Sequence, residues 1–310
     1  MTNQMKQGYD IIGDIHGHCD ALEELLHRMG YEHNGTSYQH PTRKVIFVGD
    51  LIDRGPKIRE TLQIAKAMFD NDQALVILGN HEYNAVCYCS DDDEGKPLRE
   101  HSEKNVAQFK ATDQAFAEFP EEWNAYLDWF KQLPLYLDMG DFRVAHACWS
   151  QRHIDVLEGK TLGDRNFLLS SSIKQTPEYW AIETVLKGAE FTLPDGISYA
   201  DKEGTVRTKT RAKWWISMEG MTYRSGSFPE QPKLPDDPVA ASAIDEYWDI
   251  YPATEPPMFC GHYWLPPETP EPHGNIICLD YSVAKGGFLT SYRWGHGEQI
   301  ASRNFVTTVD

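Results

Sequence analysis

Five short clusters of this sequence carry side chains that can hold metal ions and move protons. Asp14 and His16 stand two apart between Gly13 and Gly17, and Asp50, Asp53 and Arg54 lie between Gly49 and Gly55. Asn80 and His81 follow Gly79, and His146 and His262 stand further along the chain. The first three clusters come straight after the apolar runs Tyr9–Ile12, Val45–Val48 and Ala74–Leu78. Each therefore reads as a loop at the carboxyl end of a strand, where open α/β sheets place their ligands. A single Asp-x-His is weak evidence, because turn formation explains one Asp or Asn and core packing one histidine. Several such clusters, each placed immediately after a strand, are not explained that way.

The chemistry these residue types fit is phosphoester hydrolysis. A phosphoester is an anion that repels hydroxide, and water is a poor nucleophile at neutral pH. Two divalent ions address both difficulties by lowering the pKa of a bridging water and neutralising charge on the phosphoryl oxygens. Such a pair needs one bridging carboxylate with oxygen and imidazole ligands on each side. Asp50 is the natural bridge, Asp14 and His16 would complete one site, and Asn80, His146 and His262 the other. Asp53 and His81 are each offset from a ligand, so they can point into the pocket from the same loops. A carboxylate holding an imidazolium makes a general acid for the leaving alkoxide, and Arg54 offers a planar fork for phosphoryl oxygens.

The elements needed to position these loops are legible. Leu22, Leu25, Leu26 and Met29 share one helical face after an expected capping box at Asp20 and Glu23, and Gly30 supplies a left-handed stop. A second helix is expected from Pro56 to about Asp70, with Ile58, Leu62, Ala65 and Phe69 inward. The first 80 residues thus read β-α-β-α-β, which implies parallel strands with helical crossovers. Tyr83–Phe119 reads as helix interrupted by the acidic run Asp91–Glu94, taken as a solvated loop. Glu121–Gln132 is an amphipathic helix whose Trp123, Tyr126, Trp129 and Phe130 are read as core. Leu135–Asp138 and Arg143–His146 form an expected hairpin. Residues 150–257 are rich in Pro, Gly and Trp and read as a cap of helices and loops inserted in one domain spanning 1–310. Three final strands, mostly antiparallel, are expected at Met258–Gly261, Asn275–Asp280 and Gly287–Trp294.

Composition narrows the function classes. A formal charge of −18 and the lack of a basic stripe interleaved with aromatics argue against a nucleic-acid partner. Small anionic substrates remain open, because a metal cluster and a few arginines can dominate the local field. No run approaches the ~18 apolar residues of a membrane span, and Met1–Gly8 lacks a signal-peptide core, so a cytoplasmic protein without membrane partners is expected. The six cysteines include no C-x-x-C pair and read as reduced, mostly buried thiols.

With Gly13–Gly17, Gly49–Gly55 and Gly79–Glu82 in place, the chain resembles the phosphoprotein-phosphatase-type, calcineurin-like metallophosphoesterases, whose motifs are G-D-x-H-G, G-D-x-x-D-R-G and G-N-H-E in this order. The likeness covers about the first 85 residues well and continues through Val144-Ala145-His146 and Cys260-Gly261-His262. It implies a two-sheet α/β sandwich flanked by helices. It further implies two divalent ions, manganese before iron or zinc, held by the ligands above, and an acid dyad of His81 and Asp53. It also implies a second arginine clamp from the insert, for which Arg211 is the candidate. Two departures stand out: His146 is followed by Ala147-Cys148-Trp149 in place of glycines, and Gly261-His262-Tyr263-Trp264 lacks a second histidine.

Two substrate classes follow. Intact Asp53-Arg54-Gly55 and Gly79–Glu82 favour phosphomonoesters, a serine/threonine protein phosphatase first. The alternative is a dinucleoside tetraphosphate, since Gly261-His262, Leu279-Asp280, Gly286-Gly287 and Arg293-Trp294 look similar to bacterial symmetrical diadenosine tetraphosphate hydrolases. A nucleic-acid-end phosphatase is disfavoured by the charge, and a silent binding module by the complete set of site residues.

Overall fold

The structure, a computed structural model, describes residues 7–200, 204–244 and 248–309; the polar stretch before Gln7 lies outside them. Strand β1 (Gly8–Ile12) leads into α1 (Cys19–Arg28), a small hairpin β2/β3 (Glu32–His33, Tyr38–Gln39) and β4 (Arg43–Phe47). Then come α2 (Ile58–Asp70), β5 (Ala74–Val76) and helices α3 (Asn80–Tyr88), α4 (Glu103–Phe116) and α5 (Pro120–Phe130). The hairpin β6/β7 (Tyr136–Asp138, Arg143–Ala145) precedes α6 (Gln151–Leu157), α7 (Arg165–Ser172) and α8 (Pro177–Lys187). Four short strands follow, β8 (Glu190–Thr192), β9 (Tyr199–Ala200), β10 (Val206–Arg207) and β11 (Lys209–Arg211). The chain closes with β12 (Met258–Cys260), β13 (Ile276–Cys278), β14 (Thr290–Trp294) and β15 (Phe305–Thr307).

Two mixed sheets carry the site. The first runs β15-β14-β1-β4-β5, with β1, β4 and β5 parallel and β14 and β15 antiparallel to their neighbours; the second runs β13-β12-β7-β6. Strand alternation explains how they pack, since successive side chains face opposite sides. Ile11, Ile46 and Ile77 point into an apolar layer shared with Val144, Phe259 and Ile277 of the second sheet. Their neighbours Ile12, Val45, Phe47 and Val76 face the helices together with Leu22, Leu25, Leu26, Ile58, Leu62 and Ala65. This is the mixed α/β metallophosphatase fold, and the strand ends that lead into the site, at Ile12, Phe47, Val76, Ala145 and Cys260, are all buried.

Local expectations differ from the structure in three places. Helix α1 starts at Cys19 behind His18, so Asp20 does not cap it; Asp20 instead pairs with Lys57 Nζ at 2.6 Å, and Glu23 accepts a hydrogen bond from Tyr38 Oη. The preceding loop is pinned to the next one by Lys57 N donating to Gly17 O, which sets where the helix can begin. At the end of α2 Met68 is fully buried, whereas Phe69 is 37% exposed and rests on Trp129 of α5 at the periphery. Finally, β12 is parallel to both β7 and β13. Residues 261–275 make a connection long enough to return the chain to the same end, as a parallel pair requires.

Candidate metal centre

Each candidate ligand follows a strand of one of the two sheets within a few residues: Asp14 and His16 after β1, Asp50 after β4, Asn80 after β5, His146 after β7 and His262 after β12. The loops are tied to each other before any ion is considered. Ile15 N and His16 N both donate to Asp50 O, Gly55 N donates to His16 O, and Gly261 N donates to His146 O. His81 N donates to Asp50 Oδ1 at 2.9 Å and His262 N to Asp14 Oδ2 at 3.0 Å. His16, Asp50, Asp53, Arg54, His262 and Trp264 all hold left-handed backbone, with φ between 47° and 72°. Such strain persists only where surrounding contacts over-determine it, and this network does so. Two glycines allow the close approach: a Cβ at Gly261 would overlap Asp14 Oδ1, and one at Gly79 would meet the Asp50 backbone and carboxylate.

The six expected ligands lie beside one another, but Asp14 and His16, expected to share one ion, fall in different clusters, and His81, expected to be the acid, converges with His16. Asp50 belongs to two clusters of converging donor atoms, one with His16 and His81 and one with Asp14 and His146. Its Oδ2 lies 3.4 Å from His146 Nε2, 3.6 Å from His16 Nε2 and 3.9 Å from His81 Nε2. Asn80 Oδ1 lies 3.1 Å from His146 Nε2 and 2.7 Å from His262 Nδ1. His16 and His146 use Nδ1–H to donate to Ile52 O and Val48 O, which turns Nε2 of each ring inward. His262 Nε2 is buried without a hydrogen-bond partner among the described residues.

Electrostatics test whether cations fit this cage. Burial, then Asp280 and Asp50, push the Asp14 carboxyl well above its ordinary range. Burial opposes charge on His146, yet Asp50 and Asp14 overcome it and raise the imidazole to about 10. Burial also works against Asp50, but His146 and His81 hold it well below the carboxylate range. His16 and His262 are driven down by burial, helped by Arg54 and Arg211 respectively. The carboxylates thus favour positive charge beside Asp14 and His146 while His16 and His262 stay neutral, and neutral imidazoles with carboxylates are the ligand states a divalent ion needs.

Around the cage sit the remaining predicted residues. Asp53 Oδ2 accepts the His81 Nδ1–H bond at 2.5 Å. Arg54 Nη1 lies against His16 Nε2, and its guanidinium covers the Trp264 ring at 4.4 Å. Arg211 Nη1 donates to His262 O at 2.9 Å, so the residue expected by resemblance does reach the centre.

Three supporting residues carried no assigned role in the sequence reading. Glu82 is fully buried and accepts from the backbone N–H groups of Asp50, Leu51 and Gly79, holding the Asp50 loop onto α3. Thr112 of α4 donates Oγ1–H to Asp53 Oδ1 and accepts from Asp53 N at 3.1 Å. Asp280 accepts from Trp264 N and Ser282 N at 2.7 and 2.9 Å. A first-turn carboxylate following a strand-loop glycine was the available signal for Glu82; Thr112 left none. The centre opens into a cavity of about 570 Å³ whose walls include Trp180, Tyr199 and Trp248 from the 150–257 stretch.

A carboxylate shared by two clusters of buried acceptors, at the ends of two packed sheets, is the arrangement a dinuclear metallophosphoesterase requires. Residues 9–207 match the family described as calcineurin-like phosphoesterase, and the chain belongs to that family. It is similar to the symmetrical bis(5'-nucleosyl)-tetraphosphatase of Vibrio campbellii, at 27% identity over 92% of this chain and 94% of that one. An asymmetrical bis(5'-nucleosyl)-tetraphosphatase of Halalkalibacterium halodurans is 45% identical over 74 residues, which cover 24% of this chain and 30% of that protein. Among solved structures, a protein serine/threonine phosphatase from Saccharomyces cerevisiae aligns with a TM-score of 0.53 at 14% identity, over 99% of this chain and 80% of that one; it shares the fold. Among the described residues, no helix is long and apolar enough to cross a membrane.

Proposed function

We propose that this chain hydrolyses a phosphoanhydride of a dinucleoside polyphosphate, with diadenosine tetraphosphate as the model substrate. The observation that carries the reading is the lining of the cavity. Although the chain has a net charge of −18, the walls hold Arg54, Arg99, Lys104, Arg207, Lys209 and Arg211, with Trp180, Tyr199, Trp248 and Trp264 between them. Cations spread along a cleft suit several linked phosphates, and aromatic faces suit bases by stacking. The similarity to the Vibrio protein along nearly its whole length supports the same reading. The 150–257 stretch then acts as a cap that supplies much of the nucleotide pocket.

Asp14, His16, Asp50, Asn80, His146 and His262 would hold two divalent ions, with manganese the first choice on the family resemblance and the mixed oxygen and imidazole donors equally open to iron or zinc. When bound, these ions supply activated water and charge neutralisation. Arg54 and Arg211 orient the phosphoryl group. His81, with Nδ1–H committed to Asp53, delivers a proton from Nε2 to the leaving oxygen. Water adds its oxygen to phosphorus as the anhydride P–O bond breaks, so symmetrical cleavage gives two nucleoside diphosphates.

One observation favours the phosphomonoester reading that the motifs put first. The Asp53–His81 pair is intact, and an acid helps an alkoxide leave far more than a phosphate. The deciding experiment compares kcat/KM for diadenosine tetraphosphate, a phosphothreonine peptide and p-nitrophenyl phosphate with manganese present, and resolves the nucleotide products. Preference for the dinucleotide with ADP as sole product supports the proposal. Preference for the peptide returns the chain to the protein phosphatases, and ATP with AMP makes it an asymmetrical hydrolase.

A further inference from the structure

Arg99 lies on the cavity wall together with Asp50, His81 and Arg54. Its three hydrogen bonds all end on neutral carboxamide oxygens: Asn84 Oδ1 at 2.7 Å, Asn105 Oδ1 at 2.9 Å and Gln108 Oε1 at 3.0 Å. Among the described residues no carboxylate pairs with it. A guanidinium has five N–H donors and is always charged. Three neutral acceptors fix the orientation of this one and leave two N–H groups unspent, while Glu183 and Asp53 act on its charge only at longer range, without a hydrogen bond. A purely structural arginine at a helix junction would more naturally be matched with one of the many acidic side chains of this chain.

The position of that cradle is informative. Asn84 sits on α3 three residues after His81, one helical turn from the acid dyad. Asn105, Gln108 and Thr112 recur at spacings of three and four along one face of α4. That face grips Asp53 through Thr112 and Arg99 through the two amides. Arg211, in contrast, hangs from the carbonyl of His262. The two arginines are therefore anchored to different parts of the centre, Arg99 to α3 and α4 beside the Asp53–His81 pair and Arg211 to the His262 loop. Lys104, exposed at the start of α4, lines the same wall.

We infer that Arg99, assisted by Lys104, binds the phosphates of the leaving group and so selects substrates whose leaving group is itself a nucleoside diphosphate. The inference rests on the proposed anhydride chemistry. A phosphoserine or aryl phosphate has no anionic group on that side and gains nothing from Arg99. The amide cradle keeps the guanidinium extended into the cleft, and its neutrality preserves the attraction for an anion. Arg99 is on this account a specificity-determining residue rather than one that touches the attacked phosphorus.

The test uses p-nitrophenyl phosphate as reporter and measures inhibition by ADP and by inorganic phosphate in the same preparations. In the Arg99→Gln variant the ratio of the ADP to the phosphate inhibition constant should rise about tenfold or more, the scale of one lost charge-assisted hydrogen bond. Arg99→Lys should recover part of it. An unchanged ratio, with both constants moving together or neither moving, overturns the inference. If Arg99→Gln does not fold by its melting curve, Lys104→Met decides: a rise of about twofold or more supports the inference, and no change refutes it. Because the reporter is an aryl phosphate, the ratio is readable even if the dinucleotide proves not to be hydrolysed, so the two failures are distinct.

Discussion

Asp53 Oδ2 and His81 Nδ1 are 2.5 Å apart, buried together beneath the cavity, and Asp53 is itself held from behind by Thr112. The pair fixes the imidazole ring so that Nε2 faces the reacting centre. His81→Asn should therefore keep the metals and lose roughly 10²–10⁴-fold in kcat on alkyl phosphates, the usual range for a positioned acid. Activated aryl phosphates should lose less, since their leaving groups need little protonation. Equal losses on both classes would remove His81 from the acid role. Thr112→Val should reproduce a weaker version of the same leaving-group dependence.

Glu82 shows how much of the site is backbone architecture. Its two oxygens take the N–H groups of Asp50, Leu51 and Gly79 in a fully buried place. Glu82→Ala leaves those donors unpaired, at about 1–3 kcal/mol each. A fall in melting temperature of about 5 °C or more is expected, with weaker metal retention because the Asp50 loop loosens. A melting curve superimposable on the parent would show that the loop is held by other means.

Arg54 stacks on Trp264 and reaches the ligand cluster. Arg54→Ala should raise the inhibition constant of inorganic phosphate roughly 10- to 100-fold, the scale of charge-assisted hydrogen bonds. Arg54→Lys should restore only part, because the fork is lost. Unaltered phosphate inhibition would assign Arg54 to structure alone.

His153 gives the stability a defined pH dependence. It is buried on α6 beside Ser150 Oγ at 2.9 Å, and burial, then Arg152, lower its imidazole from 6.5 to about 4. Below pH 6.5 the unfolded chain takes up this proton while the folded chain does not, so stability falls as the pH drops from 6.5 towards 4. His153→Gln should flatten that part of the melting-temperature profile relative to the parent. Parallel profiles over this range would contradict the shift.

The sequence exposes the ligand loops because each one is contiguous and sits after an apolar run; His146 and His262 were visible for the same reason. Arg211 needed a resemblance, because its segment has no periodic pattern that places it near His262. Thr112 and the Arg99 cradle were hidden, since they act by hydrogen bonds between elements far apart in the chain. The parallel course of β12 and β13 was equally invisible, because alternation reports which face is buried and says nothing of strand direction. Asp20 and Phe69 were misplaced by local rules that a loop tie and the periphery of α2 override.

Asp50 is the residue on which both clusters depend. The most direct measurement is elemental analysis of the manganese-reconstituted protein after gel filtration, beside Asp50→Asn. Two metal ions per chain in the parent, with less than one in the variant and loss of turnover, is the result this structure predicts. Less than one ion per chain in the parent, or two retained without the Asp50 charge, would contradict a dinuclear centre bridged by this carboxylate.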